Sequence, residues 1–147
     1  MKTFFAIALL LVSSVAQAAQ KSEAKLDYDA AYSYLITVTD ETGGEYFSIA
    51  LMNNGALSYE YWSDSEQMDN QEITLSADQA KAFSTKFADA FTAVSKASDK
   101  GSGPSVSLEK IDARKSTTYT AVGSIPAVKA LLDMAQPKIS GKYPVAY

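Results

Sequence analysis

The chain has no histidine and no cysteine among its 147 residues. Without them it can form no Ser-His-Asp triad, no cysteine nucleophile and no zinc site of the usual nitrogen and sulfur ligands. No disulfide can form either, so the fold must be held by its own hydrophobic core. The remaining composition, 47% hydrophobic and 20% charged, is typical of a soluble globular protein. We therefore predict a protein that is not an enzyme and that uses no cofactor.

Long apolar runs are also scarce. The segment Phe4 to Val12 has nine apolar residues, whereas a membrane-spanning helix needs roughly 20. Lys2 precedes this segment and Ala16-Gln17-Ala18 follows it, which is the small-x-small pattern that a signal peptidase cleaves. The sequence therefore predicts a signal peptide at residues 1–18, cleaved between Ala18 and Ala19, and no integral membrane segment. We expect the mature protein to be periplasmic or secreted, and the lack of cysteine favours a bacterial source.

The mature chain is predicted to contain a loose polar leader at residues 19–31 and a single domain at residues 32–147. Apolar and polar residues alternate over residues 33–39, 45–52 and 56–63, as they do in half-buried strands. Asn54-Gly55 lies between the second and third of these segments and is a strong hairpin signal. Residues 64–71 are polar and are predicted to form a loop.

A helix is predicted to begin after Ser76, because Gln79 follows three residues later and completes a capping box. Phe83, Phe87 and Phe91 recur every fourth residue, which predicts one buried stripe on this helix. The segment from Gly101 to Pro104 is expected to end it. The stripe is interpreted as core packing.

A second hairpin is predicted from residues 105–111 and 117–122. Ser124 is expected to cap a second helix, with Pro126 in its first turn. The ten residues after Pro137 show no clear period. The resulting order, βββ-α-ββ-α, predicts an α+β fold in which an antiparallel sheet carries two helices on one face.

The charges are unevenly distributed along the chain. Residues 23–78 contain twelve acidic residues and one basic residue, whereas residues 110–147 contain six basic and two acidic residues. With a net charge of −4 the protein is not expected to bind nucleic acid. Two interpretations of the acidic half stay open: it meets a basic partner, or its charges only keep the protein soluble.

The segment Tyr59-Glu60-Tyr61-Trp62 concentrates aromatic side chains beside the most acidic stretch of the chain. Alternation along a strand places Glu60 and Trp62 on one face, with Tyr59 and Tyr61 on the other. Trp62 is interpreted either as an interface anchor or as a cover for the edge of the core. The candidate partner-binding residues are Tyr59, Tyr61, Trp62, Asp64, Glu66 and Asp69.

Other chemistries are weakly supported. The stretch from Asp64 to Glu72 has four carboxylates but lacks the spacing and the central glycine of a calcium-binding EF-hand loop. Ser107 and Lys110 match the Ser-x-x-Lys pattern of serine acyl-transferases, yet on a strand this spacing puts them on opposite faces. Glu60 is the acidic residue that a carboxylate-dependent hydrolase would use, but no paired carboxylate is evident.

The order of elements resembles that of the emfourin-type bacterial inhibitors of thermolysin-like metalloproteases. The resemblance covers roughly residues 34–136 and rests on Gly43-Gly44, Asn54-Gly55, the segment from Leu75 to Gln79, Ile125-Pro126 and Leu131-Leu132. It implies a protein partner, with a protease as one candidate, and it assigns no functional residue. The sequence thus predicts an exported protein-binding domain. The alternatives are an envelope-associated assembly protein and, less favoured, a hydrolase acting through Glu60.

Overall fold

The computed structural model describes residues 18–98 and 101–147. The predicted signal peptide, apart from Ala18, lies outside the described residues. The described chain forms an antiparallel sheet of seven strands and two α-helices. The strands are β1 (Gln20–Lys25), β2 (Tyr32–Thr39), β3 (Glu45–Met52), β4 (Leu57–Ser63), β5 (Glu66–Ile73), β6 (Ser105–Asp112) and β7 (Lys115–Val122). The helices are α1 (Ala77–Ser95) and α2 (Pro126–Ala135).

The strands lie in the order β1-β7-β6-β2-β3-β4-β5 across the sheet. Strands β2 to β5 form a meander, in which each strand pairs with the next one along the chain. The hairpin of β6 and β7 joins this meander through β2, and β1 pairs with β7 on the outside. Strands β1 and β5 are therefore the two edges of the sheet.

The predicted α+β class and antiparallel sheet are confirmed, but the predicted number of strands, three plus two, is wrong. Strand β1 occupies the segment predicted to be a loose leader, and β5 occupies most of the segment predicted to be a loop. Both are edge strands whose side chains are largely exposed, so neither shows the apolar alternation that marks a half-buried strand.

Helix α1 begins as its sequence predicts. The Oγ of Ser76 accepts a hydrogen bond from the Gln79 N–H at 3.2 Å, and the Gln79 Oε1 accepts one from the Ser76 N–H at 3.0 Å. Phe83 and Phe87 are fully buried, whereas Phe91 is half-buried and lies edge-on to Tyr119 of β7. The helix ends at Ser95, before the glycine-rich segment that was expected to end it.

Helix α2 starts at Pro126, but the prediction that Ser124 caps it is wrong. The cap position is Ile125, whose side chain cannot accept a hydrogen bond, and no side chain caps the helix from that position. The backbone N–H of Ile125 instead donates to the hydroxyl of Tyr147 at 2.9 Å. Tyr147 therefore fixes the residue that precedes the helix, while the first-turn N–H groups receive no side-chain cap from Ile125.

Both helices and the sheet share one hydrophobic core. We call the sheet face that packs against the helices the covered face, and the opposite one the open face. Ile36, Ile49 and Leu108 are fully buried on the covered face, in the same cluster as Phe87 of α1 and Leu131 of α2. Because both helices pack on the covered face, the open face is the large sheet surface that this part of the chain leaves uncovered.

No helix among the described residues is both long and apolar enough to cross a membrane.

Candidate functional site

A row of hydroxyl side chains crosses the middle of the open face. The row runs through neighbouring strands, from β7 to β3, at Thr120, Ser107, Thr37 and Ser48. The hydroxyl of Thr120 donates to that of Ser107 at 3.2 Å, and those of Thr37 and Ser48 lie 3.0 Å apart. These side chains are small and paired with one another, which makes this part of the face flat and polar.

The charges of the open face have one sign. Strand alternation and register place Glu60, Glu72 and Glu109 on it. The basic residues of the described strands all fall on the covered side of the sheet, where the register places Lys21, Lys25, Lys110 and Lys115. The open face is therefore acidic, and the positive charges of the described strands lie on the opposite side of the sheet.

Glu109 is bound within the sheet rather than presented to a ligand. Its Oε2 accepts a hydrogen bond from the Tyr32 hydroxyl at 2.9 Å, and its Oε1 accepts one from the Ser116 hydroxyl. Burial, and next the hydrogen bond to Glu109, raise the pKa of Tyr32 to about 12. The phenol thus stays protonated and keeps donating to the carboxylate. This cluster ties β2, β6 and β7 together.

Trp62 lies on the open face at the end of β4 that adjoins the turn into β5. Its ring is nearly parallel to that of Tyr46 on β3, with 6.2 Å between ring centroids and 7° between planes. Its Nε1 donates to the Oε2 of Glu60 at 3.2 Å. Both strands of the hairpin contribute to this order, because the indole is held by an aromatic neighbour on β3 and by a carboxylate on β4. Trp62 is half-buried, so the remainder of its ring is accessible to a partner.

A shallow depression of about 240 Å³ lies on the open face beside Glu60. Its apolar lining consists of Leu35, Ala50 and Met52. Ser48 and Ser58 add hydroxyl groups to the same lining. An apolar floor with polar groups around it can receive a small apolar side chain of a partner.

The structure places Tyr59, a predicted partner-binding residue, inside the core. Its side chain is 2% exposed on the covered face and packs against Phe47 and Tyr143. Burial, and secondarily the charge of Asp69, raise the pKa of Tyr59 to about 12. Tyr59 therefore stabilises the fold and is not part of a binding surface.

Tyr61 also projects towards the covered side, but at the margin of the core. It is half-buried, and its hydroxyl donates to the Oε1 of Glu45 at 3.0 Å, which raises the pKa of Tyr61. The predicted opposition of Glu60 and Trp62 to Tyr59 and Tyr61 follows the observed register. Of the predicted aromatic set, only Trp62 reaches the open face.

The predicted acidic loop is a tight turn followed by an edge strand. Asp64 and Ser65 have φ values of 48° and 70° and connect β4 directly to β5. Positive φ at both central residues is what a type I′ hairpin turn requires. Glu66 is exposed, and Asp69 is half-buried and accepts a hydrogen bond from the Gln71 Nε2 at 2.7 Å. Among residues 18–98 and 101–147 no cluster of three or more acidic side chains is placed to hold a metal ion.

The structure adds little support for the catalytic alternatives. Ser107 lies on the open face and Lys110 on the covered face, as the strand spacing predicts, so the lysine cannot take the serine proton. Glu60 has one acidic diagonal neighbour, Glu72, on the next strand. Diagonal residues on one face have Cβ atoms about 7–8 Å apart.

Sequence reasoning missed Tyr46 and Glu72. The signal for Tyr46 was present, because a hairpin centred on Asn54-Gly55 sets the register and puts Tyr46 opposite Trp62. The signal for Glu72 was absent, because β5 is a polar edge strand without alternation.

The chain matches no known protein family, and no characterised protein is similar enough in sequence to serve as a relative.

Proposed function

We propose that this protein is exported and acts without catalysis, by binding another protein through the open face of its sheet. The observation that carries the proposal is the position of Trp62. It is the only tryptophan of the chain, it is half-buried on an uncovered sheet face, and it is held in place by Tyr46 and Glu60. An ordered aromatic side chain on such a surface loses little conformational freedom when it binds.

The surroundings of Trp62 support an interface of ordinary composition. Tryptophan is among the residues that contribute most at protein interfaces, where polar groups surround an apolar centre. The depression lined by Leu35, Ala50 and Met52 supplies apolar area on the same face. The carboxylates of Glu60 and Glu72 supply the polar surroundings, and their sign favours a partner with a basic surface.

Export follows from the signal peptide proposed for residues 1–18. Cleavage between Ala18 and Ala19 would place the domain in the periplasm or outside the cell. The resemblance to emfourin-type inhibitors suggests an extracytoplasmic protease as the partner, so the more specific proposal is that the protein inhibits such a protease. A direct test of inhibition is the activity of a thermolysin-like metalloprotease with and without the purified protein.

An envelope-associated assembly role is the first alternative, and it predicts oligomers whose population grows with protein concentration. Sedimentation velocity over a hundredfold range of concentration separates it from a monomeric binding domain.

The hydrolase alternative has one observation in its favour, the diagonal pair Glu60 and Glu72. It requires that Glu60→Gln abolish an activity while the fold is retained.

The binding proposal is tested with a partner captured from the native periplasm or medium and identified by mass spectrometry. Trp62→Ala should weaken its binding by about 2 kcal/mol, or roughly thirtyfold. Tyr28→Ala is the matched control, because Tyr28 is an exposed aromatic residue outside every strand. Binding should be measured by calorimetry and folding by thermal melts. A Trp62→Ala protein that is destabilised but binds normally would show that Trp62 serves the fold instead.

The acidic residues near Trp62 should act mainly on the rate of association. Removing the charges of Asp64, Glu66 and Asp69 together should slow association with a basic partner and change dissociation little. Raising the salt concentration should slow the unmodified protein in the same way. Association rates that do not respond to salt would contradict the electrostatic part of the proposal.

A further inference from the structure

Strand β5 offers a free sheet edge. It is the last strand of the sheet and pairs only with β4. In an antiparallel strand every second residue turns its N–H and C=O away from the neighbour. Within residues 18–98 and 101–147 no backbone hydrogen bond from another segment reaches the outer side of β5. The register of β5 with β4 shifts between Tyr61 and Trp62, so residues 69–73 are the regular part of this edge with which an added chain can pair.

The edge is held in an extended conformation. The side-chain amide of Gln71 makes two hydrogen bonds to the backbone of Ser140 in the C-terminal tail. Its Nε2 donates to the Ser140 carbonyl oxygen at 3.0 Å, and its Oε1 accepts from the Ser140 N–H at 2.8 Å. A strand fixed on its inner side by β4 and clamped by the tail loses little entropy when another strand adds to it.

The charge of β5 selects the kind of strand that can add. The strand carries Glu66, Asp69 and Glu72 and no basic residue. The opposite edge, β1, differs because it carries Lys21 and Lys25 beside a single acidic residue. Pairing of β5 with the β5 edge of a second copy is disfavoured, since antiparallel pairing of two such edges would bring carboxylates together. A segment with lysine or arginine side chains would instead place positive charges beside the carboxylates of β5.

We propose that a basic, extended segment of the partner protein adds to the sheet as a further strand beside β5. Strand addition of this kind takes its affinity from main-chain hydrogen bonds and its selectivity from alternate side chains. This inference rests on the proposed protein-binding function and specifies its mode. Gln67 of β5 is paired with Trp62, so the added strand would lie two strand spacings, or about 10 Å, from the indole.

The test uses the protein purified after export and a synthetic octapeptide of alternating lysine and threonine. A peptide of the same sequence with N-methyl groups on alternate residues keeps the charge but loses half of its backbone donors. A third peptide replaces lysine with glutamate. Hydrogen exchange followed by mass spectrometry reports on the amides of residues 66–73, and fluorescence reports on Trp62.

The lysine peptide should slow exchange at least tenfold across β5, and the other two peptides should leave exchange unchanged. The charge requirement is tested with a triple variant, Glu66→Gln, Asp69→Asn and Glu72→Gln, which should weaken binding of the lysine peptide at least tenfold. The matched control removes three exposed charges away from β5, by Asp27→Asn, Glu41→Gln and Asp89→Asn. It should change binding less than threefold.

Three results would overturn the inference. One is equal protection of β5 by the N-methylated peptide, which would make the interaction purely electrostatic. Another is a change in Trp62 fluorescence without protection of β5, which would reject strand addition and leave the proposed open-face binding intact. The third is protection of β5 in the protein alone at rising concentration, which would identify a second copy as the occupant.

Discussion

The ring of Tyr143 lies face to face with the ring of Phe47, with 4.5 Å between centroids and 5° between planes. Phe47 is fully buried on β3, and Tyr143 belongs to the irregular tail that follows α2. The Tyr143 hydroxyl donates to the Leu132 carbonyl oxygen of α2 at 2.7 Å. One tail residue therefore connects the sheet to the second helix.

Tyr143→Ala should lower the free energy of unfolding by about 3 kcal/mol, because it removes a half-buried aromatic ring and leaves a cavity against Phe47. Tyr143→Phe keeps the ring and loses only the hydrogen bond to Leu132, so it should cost about 1 kcal/mol. Urea titrations followed by circular dichroism measure both. Equal losses in the two variants would mean that the stacking against Phe47 contributes nothing.

The capping box of α1 should make a measurable contribution on its own. Ser76→Ala removes the oxygen that accepts from the Gln79 N–H and should cost about 1 kcal/mol. Ser76→Asp restores an acceptor at the cap and should recover most of that loss. Denaturant melts of the two variants, compared at one pH, provide the measurement. A Ser76→Ala variant with an unchanged free energy of unfolding would show that tertiary packing alone sets where the helix begins.

Phe87 should carry much of the packing between α1 and the sheet. Its side chain is fully buried and its ring stacks on Tyr34 of β2 at 5.5 Å between centroids. Phe87→Ala should cost about 3–5 kcal/mol through lost burial and a new cavity, whereas Phe87→Leu should cost less because it fills more of the space. Chemical denaturation of both variants shows whether Phe87→Ala loses more stability than Phe87→Leu. A neutral Phe87→Ala would contradict the placement of this residue in the core.

The stability of the protein should fall in strongly alkaline solution. Burial holds the pKa of Tyr59 at about 12 in the folded state, above its ordinary value of 10.0. The folded protein therefore keeps this proton where the unfolded chain releases it. The stabilisation is fully present below pH about 10 and is lost as the pH rises through about 12.

Unfolding free energies at pH 9, 10 and 11 should decline, and Tyr59→Phe should make the decline shallower. Tyrosine absorbance at 295 nm gives the titration itself. If Tyr59 ionised at its ordinary pKa of 10.0, the predicted dependence would lose its cause.

The exported protein should begin at Ala19. Intact-mass measurement of material recovered from the periplasm or medium determines the first residue directly. A protein that retained residues 1–18 after export would contradict the proposed signal peptide. Ala16→Leu alters the small residue of the cleavage pattern and should slow processing, which gives the matching control within the cell.

The elements that sequence reasoning located are those with one buried side. Strand β3 has the predicted bounds, Glu45–Met52, because its apolar residues alternate and an Asn-Gly turn follows. Helix α1 began where expected because a capping box is local chemistry that needs only Ser76 and Gln79. In these segments the sequence pattern and the tertiary environment agree.

The missed features depend on contacts distant in the chain. Strand β5 is entered through Asp64 and Ser65, which adopt positive φ without the glycine that usually announces such a turn. Ile125, the residue before α2, donates its N–H to the hydroxyl of Tyr147, which follows it by 22 residues. Alternation separates Trp62 from Tyr59, but it does not say which of the two faces the helices cover. The burial of Tyr59 depends on its contacts with Phe47 and with Tyr143 of the distant tail.

The pairing of β1 with β7 has a consequence for the order in which the protein can fold. Strand β1 starts at Gln20, one residue after the proposed new N-terminus, and its partner β7 ends at Val122. Loop closure over most of the chain must precede this pairing. A chain threaded N-terminus first through a narrow translocation pore would thus deliver β1 early and leave it without its partner until β7 emerged. If the protein is exported as proposed, the complete seven-stranded sheet therefore forms only after residues 20–122 have crossed the membrane.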